Sequence, residues 1–224
     1  MSAVTESIQP QAGLTPFQQS VRTYIRAGYP ILYIVTAEED RAIEAITRVL
    51  QEPELKERQP HVWSVSRGLC TLDYKALDKR TADPKQVLTF LQAFPRPGVF
   101  VLQDYHFFLD ERSPVAALTV RQMRDLVPAF KSSRKTLVLV SPVLKIPPEL
   151  EKDVTVLDLD LPREEELLAL LQETVDQVQE NARVQINLEP GDQERVVKAL
   201  LGLTWAEAEN ALAKVVVETS RIDA

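Results

Sequence analysis

The sequence predicts an α/β protein: a parallel β-sheet with helices on both faces, followed by a small all-helical lid. Three observations predict it. Short apolar, β-rich runs alternate with stretches of helical period as far as Leu161-Pro162. Those runs are apolar at every position, the mark of strands buried on both faces. Beyond Pro162 the runs stop and helical patterns take over.

Residues 1–14 read as a flexible tail. Thr15-Pro16 opens a helix, with the hydroxyl as N-cap and proline at the first helical position. Phe17, Val21, Tyr24 and Ile25 share its inner face, and Gly28 ends it. Strands are expected at 31–36, 61–66, 99–103, 136–141 and 154–158. The helix from Glu38 to Leu50 carries acids in its first turn and turns Ile43, Ile46, Val49 and Leu50 inward. Asp83-Pro84 starts a helix with Val87, Leu88, Leu91 and Phe94 inside. Ser113-Pro114 caps the next, and Pro128 is expected to bend or end it near Val127. In the lid, helices are expected at 163–180, 190–199 and 204–219. Val184 to Leu188 alternates and admits a short extended piece.

Composition narrows the function classes. The chain has 224 residues, 45% of them apolar, enough for one or two domains. No apolar run reaches the roughly 18 residues of a membrane span, and the polar N-terminus lacks a signal-peptide pattern. One cysteine, Cys70, excludes an intrachain disulfide, and two histidines, His61 and His106, leave few metal options. A cytoplasmic protein is expected. The net charge of −7 is uneven: residues 1–103 carry +1, residues 104–135 carry +2, and residues 136–224 carry −10. That balance makes general nucleic-acid binding unfavourable. The six glycines are scattered, with no two closer than 11 positions. A phosphate-cradling loop needs clustered glycines, so neither G-x-x-x-x-G-K-[ST] nor G-x-G-x-x-G is present.

Particular segments sharpen the picture. Tyr29-Pro30-Ile31-Leu32-Tyr33-Ile34-Val35-Thr36-Ala37-Glu38-Glu39, Val99 to Leu109, Ser141 to Lys152 and the lid segment Leu201 to Leu212 together resemble one family. It is the AAA-type ATPases first named as a hypothetical chloroplast reading frame, found in plastids, cyanobacteria and other bacteria. The chain resembles the N-terminal half of such a protein over about residues 15–222. The resemblance implies an AAA+/P-loop NTPase core at 15–162 with strand order 5-1-4-3-2, and a helical lid at 163–224. It also implies that ATP and magnesium serve the parent ATPase through a second AAA module.

The resemblance assigns site positions one by one. The phosphate-loop slot after the first strand reads Thr36-Ala37-Glu38-Glu39-Asp40: three carboxylates, no glycine and no lysine. They repel an anion, and they also suit a helix N-terminus. A metal-binding strand ends in Asp-Glu, but this one ends in Gln103-Asp104. In that register Gln103 is neutral where an acid would support magnesium, and Asp104 alone holds the water-polarising position; shifted by one, Asp104 takes the metal position and Tyr105 the polarising one, so one acid is lost either way. Ser141 stands at the sensor position. Lys145 and Lys152, not arginines, follow it. Arg112, Arg121, Arg124, Lys131, Arg134 and Lys135 form the one basic cluster, from which Arg121, Arg124, Lys131 and Arg134 are the candidates for partner contact.

The reading that follows is a non-catalytic AAA-like module with no catalytic, cofactor or metal residues of its own. Its partners would be the C-terminal AAA module, neighbouring subunits or a client protein, with neither membrane nor nucleic acid. Two alternatives stand beside it: an ATPase with an unconventional phosphate site, and a nucleic-acid adaptor using the basic stretch.

Overall fold

The computed structural model describes residues 13–179, 185–186, 191–219 and 221–222. Most of the expected tail lies outside them, as do Val184, Asn187 and Leu188. The chain divides into two compact units, Met1–Leu159 and Asp160–Ala224.

The first unit is an α/β layer structure. Its strands are β1 (Ile31–Val35), β2 (Gln59–Ser64), β3 (Gly68–Cys70), β4 (Ala76–Asp78), β5 (Gly98–Gln103), β6 (Lys135–Ser141) and β7 (Val154–Asp158). They form one sheet of order β4-β3-β2-β5-β6-β1-β7. The five strands expected from sequence are β1, β2, β5, β6 and β7. All four pairings among them are parallel, and their spatial order is the expected 5-1-4-3-2. The sheet as a whole is mixed, with seven strands instead of five parallel ones. β3 and β4 extend it as an antiparallel meander beyond β2. Each has three residues, too few for a periodic signal. Physically they cover an edge of β2 that would otherwise expose unpaired backbone groups. Gly68 makes the turn into β3, with φ of 72°, and an added Cβ would lie 2.9 Å from Thr81 Oγ1.

Alternation within each strand feeds two cores. Ile31, Tyr33, Trp63, Phe100, Leu102, Leu137 and Leu139 face one side, covered by α3 (Pro84–Ala93) and α4 (Ala116–Ser133). Leu32, Ile34, Val62, Val99, Val101, Val138 and Val140 face the other, covered by α1 (Pro16–Arg26) and α2 (Glu39–Leu50). This is why the strands read as continuous apolar runs. Local signals start the helices. Thr15 and Gln18 form a capping box at α1, and Asp83 accepts from the backbone of Lys85 and Gln86 at α3.

α4 departs from expectation twice. It begins at Ala116 without a side-chain cap, and it runs through Pro128 to Ser133. Proline removes one helical hydrogen bond, but Pro128 and Arg124, whose carbonyl is freed, are both exposed, so the loss falls on the solvent side of the helix. Leu126, Val127 and Phe130 stay packed on both sides of it.

The second unit contains α5 (Glu164–Gln179), α6 (Asp192–Leu200) and α7 (Trp205–Thr219). Leu167, Leu170, Leu171, Val175, Val197, Leu200, Ala208 and Leu212 make its core. It is not all-helical: β8 (Gln185–Ile186) pairs in parallel with β9 (Arg221–Ile222). β8 lies within the alternating segment read from the sequence, while β9 gave no such signal. Among the described residues, no helix is long and apolar enough to cross a membrane.

Candidate functional site

In an open parallel sheet, side chains that follow the carboxyl ends of the strands gather at one edge. Here that edge brings together the ends of β1, β5 and β6, and with them Glu38, Glu39, Asp40, Gln103, Asp104 and Ser141. Backbone bonds fix their relative heights. Thr36 N–H donates to Ser141 O at 3.0 Å, and Asp104 N–H donates to Val140 O at 2.9 Å.

The three acids after β1 have three different fates. Glu38 is the N-cap of α2 and pairs with Arg41 at 3.1 Å, with only 10% of its side chain exposed. Its backbone N–H donates to Thr36 Oγ1. Asp40 is exposed in the first turn of α2, where a negative charge suits the helix dipole. Glu39 turns into the site. Its Oε2 accepts from Gln103 Nε2 at 2.6 Å, while Gln103 Oε1 accepts from Arg67 Nη2 at 3.0 Å.

Gln103 is therefore more than a lost acid. It is buried, and its amide is bonded at both ends: the NH2 toward a carboxylate, the carbonyl toward a guanidinium. These two charges dictate the amide's orientation. A carboxylate at this position would face Glu39 with nothing to donate. Burial holds the Glu39 carboxyl above its ordinary range, followed by the charges of Asp104 and Asp40. Arg67 and the Gln103 amide pull it back.

Asp104 has a left-handed backbone, φ 55°, and its side chain is 51% exposed. Its Oδ1 lies 3.6 Å from Nδ1 of the buried His106, whose ring lies 4.1 Å from that of Phe107. Ser141 is fully enclosed. Its Oγ lies 2.8 Å from both Tyr33 Oη and Val143 O, and Tyr33 Oη lies 2.7 Å from Val143 O, so two hydroxyl protons are shared among three contacts. Burial pushes the Tyr33 hydroxyl above its ordinary range, the Ser141 bond opposing. The sensor-position hydroxyl is thus spent on shaping the turn after β6. Lys145, which follows it, is ion-paired with Asp110, an acceptor also bound by Arg112 at 2.9 Å. That pair of cations holds Asp110 well below the usual carboxylate range, the Arg112 bond first.

The basic cluster disperses. Arg112 is bound as above, Arg121 pairs with Asp125 on its own helix, and Arg134 caps α4 and pairs with Glu57 at 3.2 Å. Lys135 is buried, its ammonium donating to Leu91 O and Gln92 O at the end of α3. Arg124 and Lys131 are exposed on α4, seven positions and two turns apart on one stripe.

His61 is enclosed between Phe94 and Phe100, and burial lowers its imidazole below the ordinary range. Among the described residues, no group of three His, Cys, Asp or Glu side chains could hold a metal ion. Arg67 was not singled out by the sequence. It lies in the turn before Gly68, 36 positions from Gln103, and only the β2–β3 hairpin brings it to the site. The turn glycine was the one local signal.

The comparisons with known proteins agree with this architecture. Residues 17–159 match the family described as SpoVK-like AAA ATPase, N-terminal domain, and residues 165–224 match SpoVK-like AAA ATPase, second domain. The AAA domain-containing protein ycf46 of Guillardia theta is 28% identical over 214 residues, and that of Trieres chinensis is 27% identical over 210. Each alignment covers 92% of this chain but only 38% and 39% of the relative, so the chain spans about two fifths of their length. The fold is similar to the FIGL-1 AAA domain in complex with ADP, with a TM-score of 0.54, 11% identity, and coverage of 95% of this chain and 74% of that one. It is also similar to a chain of the E. coli MS115-1 HORMA:CdnC:Trip13 complex, with a TM-score of 0.59, 10% identity, and coverage of 92% and 81%.

Proposed function

The chain belongs to the SpoVK-like AAA ATPase family, and from that premise we propose that it is a non-catalytic AAA module that works by protein contact. It serves assembly or regulation within a larger ATPase, or engages a client. ATP and magnesium belong to the parent assembly's catalytic module, not to this chain.

One observation carries the reading: Glu39, Gln103 and Arg67 are bonded to one another, as a relay, at the strand ends to which the family resemblance assigns phosphate and metal. Mg-ATP does not fit this donor set. The slot after β1 has no glycine cradle and presents carboxylates to an anion. Gln103 offers no charge to a cation, and both ends of its amide are used. Ser141 is committed to Tyr33 and Val143. The loops after β5 and β6 support a contact role: Phe107, Val143 and Leu144 are 62%, 51% and 50% exposed. Arg124 and Lys131 add positive charge that sets encounter rate and register more than affinity. Arg112, Arg121 and Arg134 are each paired with a carboxylate and Lys135 is buried, which leaves little for a nucleic-acid footprint.

A turnover assay tests the reading. The purified chain with Mg-ATP should release no phosphate above the uncatalysed background. Turnover that disappears in Asp104→Asn would overturn it, because Asp104 is the one acid left at the water-polarising position.

A further inference from the structure

Among the described residues, three non-glycine residues have a left-handed backbone: Tyr74, Asp104 and Arg134. Arg134 closes a helix, where this conformation is ordinary. The other two flank the relay. Asp104 follows Gln103 directly. Tyr74, with φ 57°, sits in a tight turn closed by Thr71 N–H to Lys75 O and Tyr74 N–H to Thr71 O, each 3.0 Å. A bulky aromatic is a poor occupant of that conformation, which glycine or asparagine adopts freely. Strain of this kind persists where surrounding contacts compensate for it. Here the compensation is visible: the Arg67 guanidinium lies over the Tyr74 ring, 4.5 Å from its centroid.

We infer that Tyr74, Arg67, Gln103 and Glu39 form a conformational latch that ties the turn between β3 and β4 to the first turn of α2, with Arg67 as its movable part. The inference rests on the reading that the crevice is filled by the chain's own side chains. Gln103 is buried in β5 and Glu39 is partly buried in α2, so neither can leave without disturbing packing. Arg67 is exposed on a hairpin turn. Three contacts keep it in place: the Tyr74 ring, Ser64 Oγ at 3.3 Å and Gln103 Oε1 at 3.0 Å. When its guanidinium swings into solvent, the buried Gln103 carbonyl loses its donor. Glu39 loses a favourable positive charge and keeps the opposing ones, Asp104 and Asp40. An event at the exposed Tyr74 ring is thereby passed to the start of α2 while the sheet stays still. The two arrangements, guanidinium in and guanidinium out, are the bistable element such coupling requires.

The test reads the far end of the latch. Tyr74→Ala and Tyr74→Gly are made in the full chain. Two signals are followed by NMR: the titration of the Glu39 carboxyl and amide hydrogen exchange at residues 42–45, the first N–H groups bonded within α2. Both variants should speed that exchange about two- to fivefold, the factor expected for an exposed cation–π contact, and should move the Glu39 titration further up. Arg67→Ala should do the same more strongly. Lys75→Gln, on the same turn but outside the relay, should change neither signal. Tyr74→Gly also relieves the left-handed strain, so the turn itself should become more stable while α2 loosens. A purely structural role for Tyr74 would not give these opposite signs. Parent-like titration and exchange in Tyr74→Gly, or an equal response to Lys75→Gln, would overturn the latch. Tight Mg-ATP binding by the parent chain would instead overturn the reading of the crevice, so the two failures are distinguishable.

Discussion

Replacing Gln103 with aspartate puts back the acid that a metal-binding strand would carry, and the structure says what this costs. The substitution removes an amide that donates to Glu39 at 2.6 Å and supplies a carboxylate in its place. The shorter side chain sets the two acids about 4 Å apart. At an effective dielectric constant of about 20, two full charges at that distance repel by about 4 kcal/mol. Glu39 is only partly buried, so solvent screening reduces this to roughly half. Arg67 remains beside the new carboxylate and returns on the order of 1 kcal/mol, while the lost charge-assisted hydrogen bond takes away about as much. The net expectation is a destabilisation of about 2 kcal/mol at pH 7.5.

Its pH dependence follows from the direction of the shift. Glu39 already titrates above its ordinary range because of burial and of Asp104 and Asp40, and a second carboxylate raises the pair further. A group with a raised folded-state pKa contributes stability that is fully present below its unfolded value, near 4.3 for glutamate, and is lost as pH rises through the folded value. The deficit of the variant should therefore shrink between pH 7.5 and pH 5, as the pair takes up a proton. Urea unfolding at the two pH values measures it. With a slope of about 2 kcal/mol per molar urea, the midpoint should fall by about 1 M at pH 7.5 and by distinctly less at pH 5. A parent-like midpoint at pH 7.5, or an equal deficit at both values, would refute the reasoning.

Three further outcomes are expected. Ser141→Ala should cost about 1 kcal/mol in thermal unfolding, because Tyr33 Oη keeps its bond to Val143 O; no cost would mean the hydroxyl is not a structural tie. Lys135→Met should cost about 1–3 kcal/mol by leaving Leu91 O and Gln92 O without their buried donor, and a more stable variant would show that relieving the buried charge outweighs the cap. Arg121→Glu with Arg124→Glu should leave the thermal midpoint close to the parent's, since the Arg121–Asp125 pair is exposed. Sedimentation of that variant mixed with an AAA partner module should show weaker assembly at low salt, and parent-like assembly would remove these arginines from the interface.

The sheet was legible because its physics is local. Leu32, Ile34, Val138 and Val140 face one core while Ile31, Tyr33, Leu137 and Leu139 face the other, so the strands appear as unbroken apolar runs. The same logic hid β3, β4 and β9, which hold three or two residues each and are defined by pairing, whereas β8 falls within the alternating 184–188 segment. Pro128 misled because a local rule met a helix already fixed by Leu126, Val127 and Phe130. At the site, the missing glycines and the neutral Gln103 could be read directly. What Gln103 does could not, because Glu39 is 64 positions away from it and Arg67 36. Lys135 looked like surface charge for a related reason: only the tertiary fold carries its ammonium to the end of α3.

The central claim is that this chain's own side chains fill the place a nucleotide would need. Isothermal titration of the purified chain with Mg-ATP tests it most directly. The account predicts no heat of binding at micromolar concentrations of chain and nucleotide, for the parent and for Asp104→Asn alike. A micromolar dissociation constant with one nucleotide per chain, weakened by Asp104→Asn, would contradict it.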